Sequence, residues 1–270
     1  MNFITFSRKM GSMGSEIARQ VANQVNYRFY DTEAIENKAR EMGFGEEIRE
    51  IDEKGPSLFG RLFSVKPTIF LDRLTSVIYE LASGGNAVFL GRGGHLLFSA
   101  FKCALHVRVI ASLENRVKTL VKRGFNKEAA IDALNKSDHE RAAFIKFAFG
   151  KDWDNPELYD IVLNTDHMSV ALAVETILHM ARSEEIKACS INAMKSLEMM
   201  GLSRRLQATL IEAGLIYSKS RSLSVSVLEP GRIRLTGMVA TESDKAKVEE
   251  ILKAVPGVQS IDVQVQTIES

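Results

Sequence analysis

Apolar positions along the chain fall into two rhythms. Short runs at 3–7, 28–30, 87–90, 106–110 and 159–163 read as strands. Between them, Ile17, Ala18, Val21, Ala22 and Val25 recur with helical spacing. A second helix is predicted from Pro67, where proline suits the first turn, to the Gly84-Gly85 break. Ser112 is placed to cap a helix running to Gly124, Asn126 opens a long one reaching Phe149, and 170–182 closes the series. The acidic stretch 46–53 with the Gly55-Pro56 break reads as a mobile connection. Strands alternating with helices predict an α/β fold with a parallel sheet flanked by helices.

The rhythm changes after Ser183. Residues 184–215 read as helical, with Met194, Leu197, Met199 and Met200 as packing residues. Residues 223–228 and 233–237 alternate with period two around Glu229-Pro230-Gly231 and predict a hairpin with one buried face. A helix over 243–254, the Pro256-Gly257 turn and an alternating strand over 258–265 complete a small α+β module. Two domains are expected, 1–183 and 188–270.

Composition narrows the function classes. The chain has 270 residues, 45% of them apolar, enough for a full globular core. Lys and Arg number 35 against 34 Asp and Glu, a net charge of +1, so no nucleic-acid partner is expected. No segment approaches the roughly 20 apolar residues that span a bilayer, and no leader pattern opens the chain. A cytoplasmic protein is the expectation. Cys103 and Cys189 lack metal-ligand spacing and read as buried thiols in a reducing compartment.

The candidate chemistry begins in the loop after the first strand, Arg8-Lys9-Met10-Gly11-Ser12-Met13-Gly14-Ser15. Small residues between a strand and a helix form either a phosphate cradle of backbone N–H groups or a tight turn. Arg92 between glycines is either an anion ligand or a solvated loop residue. Arg116, Lys118, Lys122 and Arg123 form either a binding face or a solvated one. Asp31 is either a site carboxylate or a helix cap.

Several stretches carry a family resemblance. Residues 4–18 with Phe29-Tyr30-Asp31, Gly91-Arg92 after a strand, Asp138-His139-Glu140-Arg141 with Lys146, and Gly150-Lys151-Asp152-Trp153 running on to Tyr159-Asp160 and Asn164-Thr165 resemble the cytidylate-kinase-like proteins. The likeness spans about residues 3–182. Residues 188–268 resemble a BON domain, through 224–227, 233–239 and the Val255-Pro256-Gly257-Val258 turn. The resemblance implies a P-loop-type parallel sheet flanked by helices, followed by a small BON-like domain. It implies that Gly11, Ser12, Gly14 and Ser15 cradle donor phosphates, that Asp31 opens the monophosphate segment and that Arg92 holds the acceptor phosphate. It further implies Arg116 and Arg123 as donor contacts, and Arg141, Lys146 and Lys151 as lid charges. Mg²⁺ would arrive with ATP, and no protein residue is assigned as its ligand.

Two departures set the functional question. Gly14 stands where cytidylate kinases proper place the loop lysine, and Ser15 where the cytidylate-kinase-like group commonly has an arginine. Arg8 or Lys9, at the loop start, would have to supply that cation. Two functions remain open. One is an ATP-dependent nucleoside monophosphate kinase acting on CMP or dCMP. The other is a catalytically degenerate nucleotide-binding regulator or scaffold, acting through a protein or phospholipid partner of its BON-like domain. Neither reading fixes the oligomeric state.

Overall fold

The computed structural model describes residues 2–44, 67–184, 186, 191–215 and 223–267. The expected mobile connection at 46–56 and Cys189 lie outside the described residues. The chain divides into two compact units, Met1–Ile35 with Gly84–Ser190, and Glu36–Ser83 with Ile191–Ser270. The second unit therefore takes in a stretch from the first half of the sequence.

In the first unit, β1 (Phe3–Arg8), β2 (Arg28–Tyr30), β3 (Ala87–Leu90), β4 (Ala104–Ile110) and β5 (Ile161–Asn164) form one sheet in the order β2-β3-β1-β4-β5. Every pairing is parallel. The carboxyl ends of all five strands thus share one edge, where α/β proteins bind ligands. One face is apolar: Ile4, Phe6, Leu105, Val107 and Val109 pack under Ile17, Val21, Val174 and Ile177 of the helices Gly14–Val25 and Val170–Ala181. Side chains alternate along a strand, so Thr5 and Ser7 of β1 and His106 and Arg108 of β4 reach the other face. There Thr5 lies beside His106 and Ser7 beside Arg108. All four are buried, and the Thr5 hydroxyl meets His106 Nδ1 at 2.8 Å.

The capping expectations at Ser112 and Asn126 hold: each side chain accepts a backbone N–H three residues on, from Asn115 at 3.3 Å and from Ala129 at 2.7 Å. The strand expected at 159–163 starts two residues later. Tyr159 instead follows a short turn at Pro156–Leu158, and its ring is buried against Arg108. Cys103 is buried and disulfide-bonded, which corrects the expectation of a reduced thiol at that position. Among the described residues no helix is long and apolar enough to cross a membrane.

In the second unit, β6 (Leu223–Glu229) and β7 (Arg232–Val239) form the expected hairpin, and β8 (Ser260–Thr267) pairs parallel to β7. The helix Glu242–Lys253 is fixed at its start by reciprocal bonds between Thr241 and Asp244. Leu202, Leu206 and Leu210 of the helix Ile191–Glu212 join Ile233, Leu235, Val248 and Leu252 in the core. A different side of that helix meets the helix Pro67–Ser83. Arg204 pairs with the buried Asp72 at 2.8 Å, Arg205 with Glu80 at 3.2 Å and Arg73 with Glu212 at 2.5 Å. A helix covered on two sides needs apolar residues around most of its girth, which explains the spread of Leu and Met over 194–210.

His95 gives the first unit a pH dependence. It lies in the short helix Gly94–Leu97, 3% exposed, with its ring stacked on Tyr159 at 4.7 Å. Burial, then the positive neighbours His106 and Arg108, push its pKa down to about 3 from 6.5. Between those two values the unfolded chain holds a proton that the folded chain lacks, so stability falls as pH drops below 6.5. Going from pH 6.5 to 5.0 is expected to cost about 1.6 kcal/mol through this residue. Urea unfolding should show a shallower pH dependence for His95→Phe, which keeps the stacking ring and cannot titrate. An unchanged pH slope would show that His95 is not the source.

Candidate phosphate-binding site

The loop after β1 is held from three sides. The Lys9 N–H donates to the Val109 carbonyl at 3.0 Å, keeping the chain on β4 as it leaves the sheet. The buried Ser12 hydroxyl donates to the carbonyls of Lys9 (2.7 Å) and Val109 (3.2 Å), and Thr165 Oγ1 donates to the Ser12 carbonyl at 3.0 Å. Ser12 therefore shapes the loop from inside, and its hydroxyl does not face a ligand. Met13 takes up left-handed backbone, φ 62°, at the cap of the helix Gly14–Val25. No backbone acceptor among the described residues takes the N–H groups of Met13, Gly14 or Ser15. Those groups and the helix N-terminus favour an anion.

Arginines converge on this loop. Arg8 Nε donates to Ser15 Oγ at 3.4 Å, so its side chain crosses the start of the helix. A Cβ added to Gly14 would lie 2.6 Å from Arg8 Cβ, and one added to Gly91 would lie 2.7 Å from Arg8 Nη1. Glycine at both positions lets the Arg8 side chain run from the loop to the turn after β3. That turn, Gly91-Arg92-Gly93, has three successive positive φ values of 87°, 54° and 73°. Arg92 thus sits one residue from the Arg8 guanidinium. Arg141 Nη1 donates to the Arg8 carbonyl at 2.6 Å. Burial lowers the pKa of Arg141 from its usual value, while Asp138 and Glu140 oppose the shift. Arg116, nearly buried, pairs with Asp138 at 2.9 Å and reaches the Met10 carbonyl at 3.5 Å. The exposed Arg123 has Nη2 3.9 Å from Met13 Sδ, on the rim of the loop.

The remaining expected residues lie differently. Lys9 is turned to Asp154, 3.5 Å away. Lys146 and Lys151 are exposed, and their side chains make no hydrogen bond or ion pair with the described residues. Asp31 Oδ1 accepts from the Ala34 N–H at 3.1 Å and Oδ2 lies 3.4 Å from Arg19, so it caps the helix Thr32–Glu41 and forms an ion pair. Glu16, which would repel phosphate, instead accepts from Gln20 one turn along at 3.2 Å.

Arg108 was not foreseen as part of this region. It is 2% exposed, and its Nη1 donates to the Trp153 carbonyl (2.7 Å), Tyr159 Oη (2.9 Å) and Ser7 Oγ (3.3 Å). Its other end pairs with Asp154. The guanidinium also stacks on Trp153, 4.2 Å from the ring centroid. The signal was present in the sequence: an arginine flanked by Val107 and Val109 in a strand, Leu105-His106-Val107-Arg108-Val109, asks for buried partners.

The model of the cytidylate kinase-like family matches residues 3–167, which include the loop, both glycine turns and all of the arginines above. The chain belongs to the cytidylate kinase-like family. A BON domain model matches residues 201–269. A protein of Ignicoccus hospitalis named cytidylate kinase is 28% identical over 185 residues, 67% of this chain and 99% of that one. A crystal structure of an uncharacterized protein from Eubacterium ventriosum shares the fold at a TM-score of 0.54 and 17% identity, over 68% of this chain and 99% of that one. This cytidylate kinase-like chain thus pairs a loop that has no lysine at the head of its helix with an arginine that enters from the preceding strand.

Among the described residues no three His, Cys, Asp or Glu side chains gather as a metal cage. Mg²⁺ held mainly by nucleotide phosphates and water would need only one or two protein groups. The Ser15 hydroxyl, at the head of the helix, is the one that would serve.

Proposed function

We propose that this protein transfers the γ-phosphoryl group of ATP to a nucleoside monophosphate, with CMP or dCMP as acceptor. The observation that carries the reading is the course of Arg8, from Ser15 at the loop to Gly91 beside Arg92. A kinase loop without a lysine at the head of its helix needs a cation between donor and acceptor phosphates, and Arg8 supplies one there. The cytidylate kinase name of the Ignicoccus hospitalis relative supports the choice of acceptor.

The N–H groups of Met13, Gly14 and Ser15 and the Arg8 guanidinium hold the β- and γ-phosphates. Arg92 holds the acceptor phosphate, a task suited to a planar fork of donors. An acceptor phosphate oxygen attacks the γ-phosphorus as the bond to the β–γ bridging oxygen breaks, and ADP leaves. The attacking oxygen is already anionic, so no general base is required. Charge on the moving phosphoryl group is met by Arg8 and Arg141, and Arg123 borders the nucleotide at the rim. Ser15 would help hold Mg²⁺ carried with the donor phosphates, and that ion would supply further charge neutralisation. Lys146 and Lys151 remain lid charges that approach only with nucleotide bound. The module matched to the BON domain serves as a partner-binding arm, for a protein or a phospholipid surface.

A coupled ADP-release assay across nucleoside monophosphates, with ATP and Mg²⁺, tests the reading. Acceptor-dependent ADP release, greatest with CMP or dCMP, is expected. Tight nucleotide binding with no release for any acceptor would favour the regulator or scaffold reading.

A further inference from the structure

We propose that Arg108 is a positioning residue that sets the place of Arg8 and ties it to the end of the long helix Lys127–Phe149. The proposal rests on the kinase reading for its turnover arm and on geometry alone for its exchange arm. Arg8 is bracketed on both sides by the Arg108 cluster. The residue before it, Ser7, accepts from Arg108 Nη1 (3.3 Å), Trp153 Nε1 (2.8 Å) and Tyr159 Oη (3.3 Å). The residue after it, Lys9, shares the Asp154 carboxylate with Arg108.

The cluster joins two distant stretches of sequence. Trp153, Asp154 and Tyr159 follow directly on the C-terminal cap of the long helix at Gly150, and that helix carries Arg141. Arg141 in turn donates to the Arg8 carbonyl. Arg8 is therefore fixed at its carbonyl by the helix and through both neighbours by the segment that follows the helix. A shift of either stretch moves the same guanidinium.

A purely structural role would be an odd use of a buried arginine. An apolar side chain of similar volume in place of a buried ion pair is often neutral or stabilising. Asp154 is 59% exposed, so loss of Arg108 leaves its carboxylate hydrated and not stranded. Arg108→Met is therefore expected to fold. What it removes is a planar group that bonds three acceptors and an anion while stacked on an indole.

The test is a double-mutant cycle between Arg8→Ala and Arg108→Met, in kcat/KM for the parent's best acceptor, with thermal unfolding of each variant. Arg108→Met alone is expected to lower kcat/KM by about 10²-fold, as misplacement of a catalytic group does. In the Arg8→Ala background the same change should cost less than about threefold, because it acts through Arg8. Equal losses in both backgrounds, or full activity in Arg108→Met, would overturn the proposal. If Arg108→Met does not fold, Tyr159→Phe removes the hydroxyl that bonds Arg108, Ser7 and the Trp153 carbonyl, and is read in the same cycle. Hydrogen exchange at the amides of residues 8–15, without ligand, gives the arm independent of activity. Faster exchange there than in the parent, with β4 unchanged, is expected; unchanged exchange would overturn the proposal. A parent that binds no nucleotide would sink the kinase reading and leave the exchange arm to decide this one.

Discussion

Arg141→Ala is expected to lower turnover by on the order of 10³-fold, the usual effect of removing a cation that meets a phosphoryl group in flight. In the ligand-free fold Arg141 donates to a neutral acceptor, the Arg8 carbonyl, at 2.6 Å. A phosphoryl oxygen is a stronger acceptor because it is charged. As charge gathers on the γ-phosphoryl group, Arg141 is expected to exchange the weaker partner for the stronger one. Its contribution is then made mostly in the transition state, so nucleotide affinity should change far less than turnover. The measurement pairs steady-state kinetics with calorimetry of Mg·ADP binding. An alanine variant as fast as the parent would make Arg141 a prop for the loop and nothing more.

Arg8→Ala is expected to act on both quantities. A cation beside the β- and γ-phosphates meets charge in the ground state and more of it in the transition state. Turnover should fall by about 10²-fold or more, with a smaller loss of nucleotide affinity. Gly91→Val probes the same point without removing the charge. Its first side-chain carbon would lie 2.7 Å from Arg8 Nη1, on backbone at φ 87°. The guanidinium must then move away, and turnover should drop in the same direction as in Arg8→Ala. If Gly91→Val and Arg8→Ala both retain parent turnover, the cation at the loop is supplied elsewhere. Gly14 is a poorer probe. Any side chain there strikes Arg8 Cβ and lies 3.0 Å from Val109 Cβ, so the variant would disturb the sheet as well as the site.

Much of this was legible in the sequence, because strands buried on both faces and capped helices leave strong local signatures. Phe3 to Phe6, Ala87 to Leu90 and the caps at Ser112 and Asn126 are of that kind. The loop was legible only as a phosphate cradle or a tight turn, because small residues between a strand and a helix serve both. What pattern could not reach was contact across the fold. Nothing local distinguishes Arg8 from Lys9, yet one enters the site and the other pairs with Asp154. Asp31 was read as cap or site, and the structure uses it as a cap and an ion-pair partner. Arg108 escaped because alternation was read only for burial, and its partners lie 101 residues before it and 45 to 51 residues on. The helix Pro67–Ser83 was read as part of the first domain from its place in the chain. Its ion pairs with residues 204, 205 and 212 depend on side chains more than 120 residues away.

The most direct test is a crystal structure with a bound ATP analogue, Mg²⁺ and CMP. The account predicts triphosphate at the N–H groups of Met13, Gly14 and Ser15, with the Arg8 guanidinium at about 2.7–2.9 Å from oxygens of the β- and γ-phosphates. It also predicts Arg92 on the CMP phosphate. Nucleotide bound at that loop with Arg8 turned away from the phosphates, or bound somewhere else on the chain, would contradict it.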